Sequence, residues 1–239
     1  MIKISAVSYT NAKPFIYGLT HSDIINQIDL SLDIPSVCAS KLLDGKVDIG
    51  LIPVAALPHI PNYQIISNYC IGANGAVNSV FVFSDKPIHQ IQTIRLDTQS
   101  RTSNNLAKVL FKNYWKSAPS FVEHGDADAF VEIGDRTFGR KNEYAYAYDL
   151  SEEWTNFTGL PFVFAAWVTN TSLEPSFIQM FNEALKYGLD RRSEVIDTLP
   201  KKTDFDIVNY LNNQIDFNFD DPKKQALERF LTLVKTNSM

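Results

Sequence analysis

Cysteine is nearly absent from this chain: Cys38 and Cys70 are the only two in 239 residues, both in apolar stretches, with no Cys-x-x-Cys spacing. A disulfide framework is therefore not expected, and two buried free thiols suit a reducing compartment. No apolar run approaches the ~20 residues needed to span a bilayer, so no membrane partner is expected. The opening Met-Ile-Lys-Ile-Ser-Ala-Val lacks the basic segment and long apolar run of a secretion signal. It reads as a first β-strand, and the expected location is the cytoplasm. Acidic residues outnumber basic ones, 27 to 22, for a net charge of -5, and no basic stripe stands out. Nucleic acid is not an expected partner, and the pairs Arg191-Arg192 and Lys201-Lys202 read as solvated surface. The ten glycines form no Walker loop, dinucleotide fingerprint or Gly-x-Ser-x-Gly elbow; Gly72-Ala-Asn-Gly75 is too short to cradle a phosphate. His21, His59, His89 and His124 are scattered without ligand spacing, so neither a metal site nor a cofactor is expected.

What is present is globular: 45% hydrophobic and 21% charged residues, enough chain for one large or two smaller domains. Ile2 to Ser8, Leu30 to Ile34 and Val47 to Ile52 read as strands. The helices between them begin near Pro14 and Pro35, at first-turn positions that proline tolerates. Strand and helix in alternation predict a parallel sheet with crossover helices. The order starts again at Thr93 to Leu96. Gly45-Lys-Val-Asp48 and Gly125-Asp-Ala-Asp128 each lead into an apolar strand, which favours two similar lobes. After Asn170 the chain is mostly helical, and these helices are expected to return to the first lobe. The predicted division is residues 1–85 with 169–239 as one lobe and 86–168 as an inserted second lobe. Its two crossings are expected near Ser84–Pro87 and Trp167–Asn170.

Open α/β sheets bind ligands at the carboxyl ends of their strands, and two polar runs stand there. The first is Ser8-Tyr9-Thr10-Asn11. The second is Asp97-Thr-Gln-Ser-Arg101-Thr102-Ser103-Asn104, which precedes a helix and so offers free amides and the positive end of a dipole to an anion. A capping loop, with Thr102 or Ser103 as the cap, accounts for the second run equally well; Arg101 tips it towards carboxylate binding. Ser79 lies in Asn78-Ser-Val-Phe-Val-Phe83, inside an apolar strand, and needs a partner for its hydroxyl, either backbone, water or a ligand in the cleft. Asn11 is open between helix cap and ligand contact. Asp135 is open between turn and site residue, and Tyr144, Tyr146 and Tyr148 between strand face and cleft lining.

Several of these stretches resemble the chorismate dehydratase family of the futalosine route to menaquinone. They are Ala6-Val-Ser-Tyr-Thr-Asn11-Ala-Lys-Pro14, Gly50-Leu-Ile-Pro53, Leu96-Asp-Thr-Gln-Ser-Arg-Thr-Ser103, Ile133-Gly-Asp135 and Thr158-Gly-Leu-Pro-Phe-Val-Phe-Ala165 with Trp167. Their order is that of the family. Thr10 and Gln99 depart from the leucine and serine of the family pattern, and Glu132 stands in place of an apolar residue. The resemblance implies an α/β, two-lobed, periplasmic-binding-protein-like (type II) fold with a hinge and a ligand cleft.

It also implies cofactor-free dehydration of chorismate to 3-enolpyruvylbenzoate. Asn11 and Ser79 would be the catalytic pair. Ser8, Tyr9, Pro53, Arg101, Thr102, Ser103 and Asp135 would bind substrate. The ring proton to be lost is vinylogous to the ring carboxylate, and loss of the neighbouring hydroxide makes the ring aromatic. Orientation and charge stabilisation are then most of what the protein must supply. Two other readings compete. One is the sibling enzyme of that route, acting on a cyclic dehypoxanthine futalosine. The other is a non-catalytic protein binding a small carboxylate, as solute carrier or cytosolic sensor.

Overall fold

Proline in the first turn opens four of the main helices in the computed structural model, which describes residues 1–200 and 203–237. Lys201 and Lys202 lie outside the described residues. The chain begins β1 (Ile2–Val7), α1 (Lys13–Thr20), β2 (Ile28–Asp33), α2 (Pro35–Leu43), β3 (Ile49–Pro53) and β4 (Gln64–Ala73). It continues through β5 (Val80–Ser84), β6 (Thr93–Arg95), α3 (Arg101–Asn113), β7 (Ser120–Val122), β8 (Ala129–Ile133), β9 (Tyr146–Asp149) and α4 (Leu150–Thr158). It ends with β10 (Phe162–Thr169), α5 (Pro175–Asp190), α6 (Arg192–Thr198), the single turn α7 (Ile207–Asn209), β11 (Asp216–Asn218) and α8 (Asp221–Asn237). A π-helical turn, Tyr210–Gln214, follows α7 directly.

The strands form two sheets, ordered β11-β4-β10-β3-β1-β2 and β7-β6-β8-β5-β9. In the first, β1 is parallel to both β2 and β3, as strand–helix alternation predicts. In the second, β6 is parallel to β7 and β8. Each parallel trio is then extended by two antiparallel strands: β10 and β4 in the first sheet, β5 and β9 in the second. The two lobes therefore repeat one plan, with β11 an added edge. Gly45 and Gly125, the matched glycines before the third strands, both adopt positive φ, 66° and 92°.

This topology moves the crossings. β5 pairs only within the second sheet and β10 only within the first. The chain thus passes between sheets at 74–79 and 159–161, earlier than the 1–85, 86–168 and 169–239 division placed it. Both strands are apolar along nearly their whole length, and a strand buried on both faces carries no local mark of which sheet receives it.

The first lobe's core gathers Phe15, Trp167, Phe181 and Phe217, with Trp167 edge-on to both Phe15 and Phe181. Cys38 and Cys70 are buried and unpaired, and burial pushes both thiols up, Cys38 to about 11. No described helix is long and apolar enough to cross a membrane. All four histidines are exposed, and among the described residues no cluster of His, Cys, Asp or Glu is suited to a metal.

Candidate active site

β1, β3 and β8 all end at one small cavity between the lobes. Val7 and Pro53 reach it from the first lobe, Ile133 and Gly134 from the second. The remaining walls include Tyr9, Asn11, Pro35, Val77, Ser79, Ser100, Thr102, Ser103 and Phe164. Its free volume is about 50 Å³, far below the ~300–1,000 Å³ typical of ligand sites. The lobes are thus drawn together. Among the described residues the lining contains no Asp, Glu, His, Lys or Arg, so an anion held here is met by backbone amides and hydroxyls.

Those amides come from helix starts. α3 is capped by Ser100, whose Oγ accepts the Ser103 amide at 3.1 Å and donates to Ser103 Oγ at 2.9 Å. The cap is thus neither Thr102 nor Ser103. Both of those hydroxyls are buried at the cavity, and Thr102 Oγ1 accepts the Ala55 amide of the opposite lobe at 3.2 Å. The loop before α3 is held by Asn104, which accepts from the Asp97 amide and donates to the Asp97 carbonyl. Arg136 anchors the Asp97 carboxylate at 2.5 Å. α2 starts at Pro35 on the facing lobe. Two helix N-termini therefore approach the cavity from opposite sides, each favouring negative charge.

Asn11 and Ser79 meet on a third residue absent from the sequence reading, Tyr210. Its phenol donates to Ser79 Oγ at 2.9 Å, and the Asn11 side chain lies beside it. Tyr210 is fully buried, and burial pushes its phenol well above the ordinary value, so it stays protonated. Asn11 Oδ1 is buried and has no hydrogen-bond partner among the described residues. Ser79 stands at the entry to β5, on the segment that crosses between lobes. That segment is held by Asp149, which accepts the amides of Val77 and Asn78 at 3.0 and 2.6 Å.

Of the sequence-predicted site residues, Tyr9, Asn11, Pro53, Ser79, Thr102 and Ser103 line the cavity. Ser8, Arg101 and Asp135 do not. The Ser8 amide is bonded to the Asp33 carbonyl at the end of β2, and Arg101 is exposed as the first residue of α3. Asp135 is occupied by the other lobe: its carboxylate accepts the Thr10 amide at 3.0 Å and the Thr10 hydroxyl at 2.9 Å. Tyr9 makes a second bridge, its phenol donating to the Gln99 carboxamide, with its ring against Gly134. Gly134 has φ 67°, and a Cβ there would sit 3.0 Å from that ring. Burial raises the Tyr9 phenol, partly offset by Arg136. Thr10 and Gln99, two of the departures from the family pattern, are thus cleft-bridging residues. The third, Glu132, forms an ion pair with Arg140. Tyr144, Tyr146 and Tyr148 lie away from the cavity; Tyr148 accepts the Ile88 amide, and Tyr144 packs on Phe83 and Phe130.

Comparison with known proteins places this arrangement. The family described as menaquinone biosynthesis matches residues 2–236. A chorismate dehydratase of Thermus thermophilus is 26% identical over 227 residues, covering 82% of this chain and 83% of that protein. Among solved structures, a protein of Archaeoglobus fulgidus aligns with a TM-score of 0.79 at 13% identity, over 99% of this chain and 97% of that one. A Candida albicans gene product described as having the generic periplasmic binding protein fold gives 0.68 at 13%, over 99% and 90%. The periplasmic aliphatic sulphonate binding protein of Escherichia coli gives 0.63 at 13%, over 99% and 92%. These structural likenesses concern the fold alone. On a periplasmic-binding-protein-like fold, with its polar side chains gathered where the strands of both lobes end, the chain belongs to the menaquinone biosynthesis family.

Proposed function

We propose that the chain is a lyase that dehydrates chorismate to 3-enolpyruvylbenzoate. The observation that carries this reading is the meeting of Asn11 and Ser79. Asn11 comes from the first lobe and Ser79 from the crossing between lobes, at a neutral cavity flanked by two helix N-termini. A substrate with two carboxylates suits two such N-termini. The similarity to the Thermus thermophilus chorismate dehydratase supports the same reaction.

Dehydration removes the proton from the ring carbon bearing the enolpyruvyl ether and hydroxide from the neighbouring carbon. The first loss gives an anion delocalised into the ring carboxylate; the second makes the ring aromatic. Amides at the α3 start, with Thr102 and Ser103, hold a carboxylate and favour the delocalised charge. Asn11 and Ser79 hydrogen-bond around the leaving hydroxyl. With no Asp, Glu or His among the described residues of the lining, the proton goes to a carboxylate of the substrate itself. Enclosure between the lobes fixes the reacting geometry.

The test is incubation of the purified chain with chorismate, without added metal or cofactor, and mass spectrometry for a product one water lighter. A protein-dependent 3-enolpyruvylbenzoate peak is expected. Asn11→Ala and Ser79→Ala should each slow its formation by about 10²–10³-fold with folding intact. Chorismate bound but returned unchanged would indicate a binding protein. No interaction with chorismate would direct the search to the cyclic futalosine substrate of the sibling enzyme.

A further inference from the structure

Ser79 and Asn11 each have more than one way to arrange their hydrogen bonds, and the group that chooses for both is Tyr210. A serine hydroxyl both donates and accepts, and a carboxamide presents a donor at one end and an acceptor at the other. The Tyr210 phenol donates its single hydrogen to Ser79 Oγ at 2.9 Å. That occupies the accepting side of Ser79 and leaves its own hydrogen without a protein acceptor among the described residues, on a side chain that lines the cavity. The Asn11 side chain lies beside the same phenol, whose one hydrogen is already given to Ser79, so only the amide nitrogen of Asn11 has a use for the phenol oxygen. Asn11 Oδ1 is then directed elsewhere, and it is the atom found buried and unpartnered among the described residues.

We propose that Tyr210 is a positioning residue that sets the polarity of the Asn11–Ser79 pair, so that the two offer one acceptor and one donor to a single hydroxyl group of the substrate. An alcohol matches this pair: its hydrogen goes to Asn11 Oδ1 and its oxygen accepts from Ser79. The inference rests on the dehydratase reading for the identity of that alcohol, the ring hydroxyl that leaves. As the C–O bond breaks, its electron pair goes to that oxygen, where the Ser79 hydrogen bond strengthens. The proton taken from the neighbouring ring carbon by the substrate carboxylate is then passed to that oxygen, which completes the water and returns the carboxylate.

The mounting of Tyr210 fits a residue that holds others in place. It begins the π-helical turn Tyr210–Gln214, and such turns recur at functional sites. Its ring is clamped edge-on by Phe138 and Phe205, at 5.2 and 5.3 Å. Those two rings stack on each other at 3.8 Å. Phe138 belongs to the second lobe and Phe205 to the C-terminal segment, so the stacked pair that holds the phenol draws on both parts of the chain. Full burial keeps it protonated, and hence a donor, at neutral pH.

Tyr210→Phe removes one oxygen and keeps these ring contacts, so the melting temperature should stay within a few degrees of the parent. The expected result is a fall in kcat of about 30-fold or more, with KM changed less than about threefold. Because Tyr210 acts through its partners, adding Tyr210→Phe to Ser79→Ala should cost little beyond Ser79→Ala alone, a non-additive cycle. A kcat for Tyr210→Phe within about threefold of the parent, or fully additive losses, would overturn the proposal. A crystal structure of Tyr210→Phe provides a second readout that needs no turnover: Ser79 Oγ or the Asn11 carboxamide should leave its position. Both unmoved would equally overturn it. A parent chain inert on chorismate would sink the dehydratase reading alone, and the crystal comparison would then decide the role of Tyr210.

Discussion

Asp149 is almost wholly buried, with one oxygen on the amides of Val77 and Asn78 and the other on those of Ser151 and Glu152. It caps α4 and at the same time fixes the strand entry that carries Ser79. Burial pushes its carboxyl up to about 6, against the pull of those amides. The ordinary carboxyl of an unfolded chain titrates near 3.8, so folding takes up a proton between the two values. The stability this group contributes is complete below the lower value and lost as pH rises through the upper. Urea unfolding of the parent and of Asp149→Asn should show their difference in stability move against the parent by up to about 3 kcal/mol between pH 4 and 7. A constant difference would show that the amides hold Asp149 ionised throughout. At this scale, Ser79 and Asn11 are legible in sequence as polar groups where polarity needs a reason. Tyr210 is not: in Asn209-Tyr-Leu-Asn-Asn-Gln214 it reads as one aromatic in a polar stretch, and only packing shows its hydroxyl reaching Ser79, 131 positions away.

Helices α1 and α5 cross where Gly18 faces Gly188. A Cβ on Gly188 would lie 1.8 Å from the Pro14 carbonyl oxygen, and one on Gly18 would lie 1.9 Å from that of Ala184. Both clashes are with backbone, which cannot step aside as a flexible side chain can. In an exposed helix, Gly→Ala stabilises by ~1 kcal/mol. Here overpacking, typically ~1–3 kcal/mol and larger where backbone must move, wins. Gly188→Ala should therefore lower the unfolding free energy by at least about 1 kcal/mol in denaturant melts; a gain in stability would mean the helices can part freely. Ser100→Ala should cost about 1 kcal/mol, the usual worth of an N-cap. It should also weaken turnover, since Ser103 loses the oxygen that holds both its amide and its hydroxyl. The start of this helix was readable to within two or three residues, but its cap was not, because Ser100, Thr102 and Ser103 are chemically equivalent candidates until backbone geometry separates them.

Hydrogen bonds that cross the cleft at the cavity include Thr10 to Asp135, Tyr9 to Gln99, and the Ala55 amide to Thr102. With about 50 Å³ free between them, substrate entry requires the lobes to part and these contacts to break. Thr10→Val removes the shorter of the hydroxyl and amide bonds to Asp135 while keeping the side chain's shape. Small-angle scattering should show the Thr10→Val chain more extended than the parent when free, and both converging when liganded. Identical profiles for the two chains, free and bound, would count against a closing motion. That the chain builds two α/β sheets was legible because βα order restarts. The sheet membership of β5 and β10 was not, because each strand joins the lobe that follows its own crossing.

The sequence by itself determined where strands and helices lie, which polar residues stand at strand ends, and the family resemblance. These follow from periodicity, from proline and glycine, and from residues that keep their order along the chain. Tertiary structure alone decided that β5 and β10 exchange sheets, that Asp135 is taken by Thr10 rather than left to a ligand, and that Tyr210 joins Asn11 and Ser79. Each of these is a pairing between positions far apart in the chain. A residue's own type and neighbours fix how many hydrogen bonds it must make, but only the closed fold supplies the partner.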